Sequence, residues 1–260
     1  MLKSLNTAAS GMTAQEKQLE VVSNNLANTN TTGFKKSRSE FQDLMYQTDK
    51  APGAATSATT QNPTGVQVGT GSKVVATTKS FEQGGPQVTD RKLDFMIYGD
   101  GFFSIQKPNG DVQFTRNGAF KMNNEGQVVT SQGYLVLPEI TVPPGTKTLA
   151  VAPDGQVISQ MGNGEVQNIG QLQLTTFVNP SGLDSIGENL YSVSPSSGEP
   201  IIGNPGDEGM GSIQQGALEA SNVSPMQEMT NMIRAQRTYE LNSKVISTSD
   251  QMLQVLGQLK

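Results

Sequence analysis

The last 37 residues of the chain, 224–260, hold its longest stretch free of backbone-breaking residues. After Pro225, no glycine or proline occurs before Gly257. Ser224, Pro225 and Gln227 supply a serine N-cap, a proline at the first helical position and a glutamine placed for a capping box. A helix over 225–256 would be about 48 Å long at 1.5 Å per residue. Because isolated helices are only marginally stable in water, such a helix requires a partner along its length.

Apolar residues in this helix recur at alternating steps of four and three, the spacing of a heptad seam. The stripe is regular over 241–259 and scattered over 226–239, where Arg234 and Arg237 interrupt it. Residues 2–26 show the same spacing with two polar interruptions, at Glu16 and Ser23. We therefore expect both chain ends to be helical, to pair as a coiled-coil-like domain when the chain folds back, and to carry a self-assembly seam. The predicted seam consists of Leu2, Leu5, Ala9, Met12, Leu19, Leu26, Met229, Ile233, Leu241, Val245, Met252, Val255, Leu256 and Leu259.

The middle of the chain differs from the two ends in composition and in its pattern of apolar residues. Charged residues make up only 16% of the chain, and the remaining polarity comes from Gly, Ser, Thr, Asn and Gln, as is typical of turn-rich β structure. Short apolar or alternating segments are separated by turn pairs such as Asn109-Gly110 and Asn117-Gly118. These segments predict an antiparallel sandwich or partly open barrel, with strands at 73–81, 93–98, 102–106, 112–115, 127–130, 134–137, 156–159 and 171–177.

These patterns predict a chain of five parts. The order is an N-terminal seam helix (1–30), an extended arm with a Pro/Gly/Thr-rich insertion (31–72), the β domain (73–194), a return arm (195–223) and the C-terminal seam helix (224–260). Residues 49–65 have almost nothing to bury. They are either a flexible linker or a segment that orders only against neighbouring copies of the protein.

The residue inventory excludes several kinds of chemistry. The chain has no cysteine and no histidine, so zinc sites, Cys–His pairs and Ser–His–Asp triads are ruled out. Gly69, Gly71 and Lys73 lack the spacing of a phosphate loop, and the acidic residues of the middle fall in turns. We therefore expect no catalytic residue, no cofactor and no metal. The net charge of −5 argues against nucleic acid as a partner.

The sequence also lacks the patterns of a membrane-spanning segment and of a cleavable secretory signal. No stretch approaches 18 consecutive apolar residues, so no segment is expected to span or insert into a bilayer. The first residues lack the features of a cleavable secretory signal. If the protein leaves the cytoplasm, we expect it to use an uncleaved signal.

One segment carries a resemblance to a known family. It reads Asn24-Asn25-Leu26-Ala27-Asn28-Thr29-Asn30-Thr31-Thr32-Gly33-Phe34-Lys35, and it resembles the N-terminal signature of the axial proteins of the bacterial flagellum, the rod and hook family. Further similarity lies at 99–103, 114–120, 185–191 and 215–223, and residues 231–240 are similar to the family's C-terminal signature. Within the family, the chain most resembles the rod member that lies next to the hook. The points of resemblance are its length, its one β domain and its insertion near 46–65.

The resemblance implies a structural subunit that assembles helically into the straight drive shaft of the flagellar basal body. It implies contacts with further copies of itself, with proximal rod proteins and the hook protein, with the ring proteins that surround the rod, and with the flagellar type III export apparatus. The implied location is the rod that crosses the periplasm, reached without cleavage of a signal peptide.

Three other interpretations of the sequence stay open at this point. Another rod or hook member of the family would assemble in the same way. A cell-surface adhesive module with a helical stalk would form a discrete oligomer, where a rod subunit would form an open-ended polymer. A peptidoglycan-processing enzyme would need a catalytic carboxylate in a cleft.

Overall fold

The computed structural model describes residues 2–53, 63–162 and 165–258. The backbone contacts divide the chain into two units. The first contains residues 1–27, 37–79 and 224–260, and the second contains residues 28–36 and 80–223. This division differs from the predicted one, because residues 37–79 group with the helices and residues 195–223 group with the β structure.

Two helices and a long β ribbon form the first unit. Helix α1 spans Leu2–Ala27 and helix α2 spans Pro225–Gln258. They lie antiparallel: Gly11 lies opposite Asn242, and Asn25 lies opposite Glu228. Leu259 lies outside the described residues, as do the side chains of Leu2 and Leu256. Over the described residues, neither helix is long and apolar enough to cross a membrane.

The helices meet through faces that lie beside the predicted stripes. The buried residues of α1 include Ala8, Val22 and Asn25, and each precedes a position of the predicted stripe by one residue. The buried Ser249 of α2 follows Thr248, which lies in the stripe of that helix, by one. The expectation that the stripes themselves pair within the chain is therefore not confirmed. The reason is steric: a Cβ at Gly11 would lie 3.0 Å from Nδ2 of Asn242, and only small residues permit so close an approach.

The predicted extended arm is a two-stranded antiparallel ribbon. Its strands are β1 (Ser37–Asp43), β2 (Tyr46–Lys50), β3 (Val66–Gly69) and β4 (Ser72–Lys79). Strand β1 pairs with β4, and β2 pairs with β3. A bond from the Leu44 N–H to the Gly71 carbonyl (2.8 Å) continues the ladder between the two pairs. Residues 54–62 of the predicted insertion lie outside the described residues.

The second unit is antiparallel β structure. Its strands are β5 (Pro86–Val88), β6 (Phe95–Tyr98), β7 (Phe103–Gln106), β8 (Val112–Thr115), β9 (Lys121–Met122), β10 (Val128–Val129), β11 (Leu135–Leu137), β12 (Thr146–Val151), β13 (Gln156–Met161), β14 (Val166–Gln171), β15 (Leu174–Thr176), β16 (Asp184–Gly187), β17 (Leu190–Ser192), β18 (Ile201–Gly203), β19 (Ser212–Gln215) and β20 (Ala217–Glu219).

Over the described residues, the largest sheet has seven strands in the order β16-β17-β8-β7-β11-β10-β9, and it has the form of a half-barrel. A three-stranded sheet (β12-β13-β14) and the pairs β15–β18, β19–β6 and β20–β5 complete the unit. Within the segment predicted as a return arm, β18, β19 and β20 each pair with an earlier strand.

Two apolar clusters form the core of the second unit. The larger one includes Phe103, Ile105 and Phe120, all fully buried. The smaller one is aromatic: the rings of Phe102 and Phe177, like those of Phe114 and Phe177, meet edge to face with centroids 5.7 and 4.9 Å apart. Edge-to-face contacts of this kind stabilise a core beyond the area they bury.

Candidate functional site: the signature segment and the exposed helix stripes

The first part of the signature segment ends α1. Asn24 and Ala27 are exposed and Leu26 is half-buried. After Ala27 the chain turns, with the Thr31 N–H donating to the Asn28 carbonyl (3.1 Å) and the Thr31 hydroxyl donating to Oδ1 of Asn28 (3.1 Å). Short polar side chains that bond the local backbone are favoured at such helix ends.

Asn25 is the buried member of this first part, at 2% exposure. Its Nδ2 donates to the Ser37 carbonyl (2.8 Å) and its Oδ1 accepts from the Ser37 N–H (2.9 Å). The side chain therefore pairs with the first residue of β1 as a neighbouring strand would. Nδ2 also donates to Oε2 of Glu228 (3.2 Å), in the first turn of α2.

Gly33 lies in the second unit with a φ of +69°. Its N–H donates to the Glu219 carbonyl (2.8 Å). A Cβ at this position would lie 2.8 Å from backbone atoms of Arg116 and Asn117. Glycine is required here both for the left-handed backbone and for the close approach of two chain segments.

Lys35 is fully buried and ion-paired. Its Nζ donates to Oε1 of Glu219 (2.6 Å) and to the Glu82 carbonyl (2.7 Å). Oε1 of Glu219 also accepts from the Gly84 N–H (2.9 Å). Nη1 of Arg116 lies 3.7 Å from Oε2 of Glu219, and the Arg116 guanidinium lies 5.4 Å from the centroid of the Phe102 ring. Phe34, next to Lys35, is buried as well.

Burial sets the protonation behaviour of this cluster. Desolvation lowers the pKa of the Lys35 ammonium, and the facing Glu219 carboxylate opposes the shift. The pKa of the Arg116 guanidinium is lowered for the same reason and is opposed by the same carboxylate. Desolvation also raises the pKa of Tyr191, whose ring packs edge to face against Phe102, to about 12. Lys35, Arg116 and Glu219 are all buried, in the arrangement of a structural ion pair.

Sequence reasoning missed the partners of the signature. Arg116, Glu219 and Asn222 lie within stretches that resemble the family, yet no role was predicted for them. Oδ1 of Asn222 accepts from the Lys36 N–H (2.7 Å), and its Nδ2 donates to the Ser80 carbonyl (2.9 Å). The sequence gives only a weak signal that Glu219 is buried and paired. Glu219 is the single acidic residue in the otherwise uncharged stretch Gly216-Ala217-Leu218-Glu219-Ala220.

The described seam residues differ in exposure between the two helices. On α1, Leu5, Met12, Leu19 and Leu26 are half-buried and Ala9 is exposed. The α2 stripe is more open, with side chains between 46% and 64% exposed. It consists of Met229, Ile233, Leu241, Val245, Met252 and Val255.

Three family models match the chain, one near each end and one in the middle. The model described as flagella basal body rod protein matches residues 5–35, and that of the flagellar hook protein FlgE/F/G D1 domain matches residues 96–159. The model of the flagellar basal body rod FlgEFG protein C-terminal region matches residues 214–259. All three describe structural proteins of the flagellum.

The chain is also similar over its full length to flagellar basal-body rod proteins named FlgG. That of Buchnera aphidicola (subsp. Schizaphis graminum) is 48% identical, with all of both chains covered. Those of Borreliella burgdorferi and Caulobacter vibrioides are each 47% identical, with all of this chain and 99% and 100% of theirs covered. The chain belongs to the flagellar rod and hook protein family. It is a structural subunit of the distal rod of the flagellar basal body.

The buried ion pair of this rod subunit gives a stability prediction. We expect Lys35→Met to lower the free energy of unfolding by about 3 kcal/mol, because it leaves the buried Glu219 carboxylate without its hydrogen-bonded cation. The measurement is chemical denaturation followed by far-UV circular dichroism. The matched control is Lys36→Met, since the adjacent Lys36 pairs with the exposed Glu82 (3.4 Å) and should change stability by about 1 kcal/mol or less. Equal effects of the two substitutions would contradict the prediction.

Proposed function

We propose that rod subunits polymerise helically through the apolar stripes of α1 and α2, and that the polymer transmits torque from the motor to the hook. The observation that carries this proposal is which faces of the two helices contact each other. Within one subunit the helices bury small residues such as Ala8, Ala14 and Ala235 and the polar residue Asn25. The large apolar side chains of the α2 stripe stay about half-exposed, where a second copy can cover them.

The stripes have the chemistry of an assembly surface. Covering a half-exposed Leu, Ile or Met contributes about 1 kcal/mol at 25 cal/mol per Å² of apolar surface. Each subunit offers several such side chains on α2 alone. The steps of four and three over Leu241, Val245, Thr248, Met252 and Val255 fit a coiled-coil-like seam between copies. A contact of this kind that does not close generates an open helical filament.

The proposal extends to the partners and the location of the rod. We place the filament between proximal rod proteins and the hook protein, inside the rings, where the rod crosses the periplasm. The flagellar export apparatus would deliver the subunit without cleavage of a signal peptide. These assignments rest on the family and on the signature segment.

A charge in the stripe tests the assembly surface. We expect Leu241→Asp to raise the critical concentration for polymerisation about tenfold or more, because a carboxylate would have to be buried between copies. The stability of the monomer should barely change, since Leu241 is exposed. The control is Ser243→Asp, which adds the same charge at an exposed polar position of α2. Pelleting assays and electron microscopy give the readout. If both variants polymerise alike, the stripe is not the assembly surface.

The weak apolar burial in the helix pair predicts a difference between monomer and polymer. In dilute solution we expect trypsin to cut α2 first, at Arg234, Arg237 and Lys244, and to leave a resistant fragment that contains the second unit. The reason is that small side chains contribute little transfer free energy, so the helices open readily. Polymerisation should protect the same sites. Helices in dilute monomer that resist trypsin as long as the β unit does would contradict this expectation.

We further propose that the segment 46–65 makes lateral contacts between subunits and stiffens the shaft. The support is the end of the ribbon: all residues of β2 are exposed, and Met45, Tyr46 and Val68 present apolar groups to solvent. A two-stranded ribbon of this kind is marginally stable by itself, so a neighbouring copy would stabilise it.

Shortening the ribbon tests that role. Replacing residues 51–65 by Asn-Gly keeps Lys50 opposite Val66 and closes the strands with a two-residue turn. We expect the polymer to form but to bend more, as measured by its persistence length in electron micrographs. A Gly/Ser segment of the original length serves as a second variant and should also bend more. Polymers as straight as the parent's would refute the stiffening role.

A further inference from the structure

A polar pair is buried at the junction of three elements of the first unit. Asn25 of α1 is 2% exposed and Glu228 of α2 is 7% exposed, and Nδ2 of Asn25 donates to Oε2 of Glu228 (3.2 Å). Asn25 is held in turn by both backbone groups of Ser37, at 2.8 and 2.9 Å. Its amide therefore has a fixed position and orientation before it meets α2.

The rest of the helix contact does little to fix one alignment. Gly11 lies against Asn242, and the other buried positions include Ala8, Ala14 and Ala235. The residues seven before and seven after Asn242 are Ala235 and Ser249, and both are small and buried. If one helix slid by a heptad, Gly11 would meet one of these small residues without a clash.

The polar pair does not tolerate such a slide. In the observed register Asn25 and Glu228 are directly opposite each other. A slide that puts Gly11 opposite Ser249 puts Asn25 opposite Ala235, and Glu228 loses its amide donor. The opposite slide carries Asn25 past the start of α2 at Pro225 and puts Glu228 opposite Gln18, whose amide lacks the bonds to Ser37 that hold Asn25 in place. A buried carboxylate without a donor costs more free energy than the alternative contacts return. Buried polar groups in helix pairs are known to select one register in this way.

We propose that the Asn25–Glu228 pair sets the register of α1 against α2. Because the two apolar stripes lie beside the paired faces, the same register fixes how the stripe of α1 is aligned with the stripe of α2. This consequence for assembly rests on the proposed function. The register itself is a property of the single subunit.

Disulfide cross-linking measures the register directly, because the chain contains no cysteine of its own. Gly11→Cys is combined with Asn242→Cys for the observed register, and with Ala235→Cys or Ser249→Cys for the registers shifted by seven residues. The monomers are oxidised in dilute solution so that links form within one chain. In the parent background we expect the 11–242 link to dominate.

The test variant is Asn25→Leu with Glu228→Leu, which removes the polar pair and keeps the site filled. We expect the ratio of shifted to native links to rise about tenfold or more, the factor for losing a hydrogen bond to a charged group. The matched control is Gln236→Leu with Glu240→Leu, an exposed amide and an exposed carboxylate on α2, which should leave the ratio unchanged. A folded test variant that links only at 11–242 would overturn the proposal and would show that the chain connections set the register.

An isosteric variant gives a second check that does not depend on the leucine variant's folding. In Glu228→Gln, Asn25 keeps both bonds to Ser37, and its Nδ2 can donate to the amide oxygen of Gln in place of the Glu228 carboxylate. We expect exclusive 11–242 linking, and shifted links in this variant would contradict the proposal. Because the links are measured in monomers, a failure to polymerise would bear on the proposed function and not on the register.

Discussion

The close contact between α1 and α2 is the interaction on which the rest of the structure depends. It brings the two ends of the chain together by small side chains, with Gly11 against Asn242 and Ala8, Ala14 and Ala235 buried. Small residues bury less hydrophobic area than large ones do, but they let the two helix backbones approach closely. The larger apolar residues of the α2 stripe consequently stay about half-exposed.

The two units are stabilised by different means. The second unit has a large aromatic and aliphatic core with a buried ion pair of Lys35 and Glu219. The first unit buries little apolar surface and relies on the helix contact, on the ribbon and on the Asn25 side chain.

The signature segment has a physical explanation in both units. In the first unit, the Asn25 side chain pairs with Ser37 as a strand would and donates to Glu228. In the second unit, Gly33 permits a close backbone approach, and Lys35 forms a buried ion pair with Glu219. These residues fix the path of the chain as it leaves α1. Their identities are thus determined by local geometry and by desolvation.

The sequence by itself determined the helical ends, the antiparallel character of the middle and the family. Heptad spacing, capping residues and turn pairs are local signals, and the strands predicted at 102–106, 112–115 and 134–137 correspond closely to β7, β8 and β11. Only the tertiary structure decided which helix faces meet, that the strands of 37–50 and 66–79 pair as a ribbon, and that Lys35 pairs with Glu219. The physical reason is that each of these depends on groups far apart in the chain. Periodicity shows that a helix has an apolar stripe, but the closest approach of small residues decides whether that stripe lies inside the subunit or outside it.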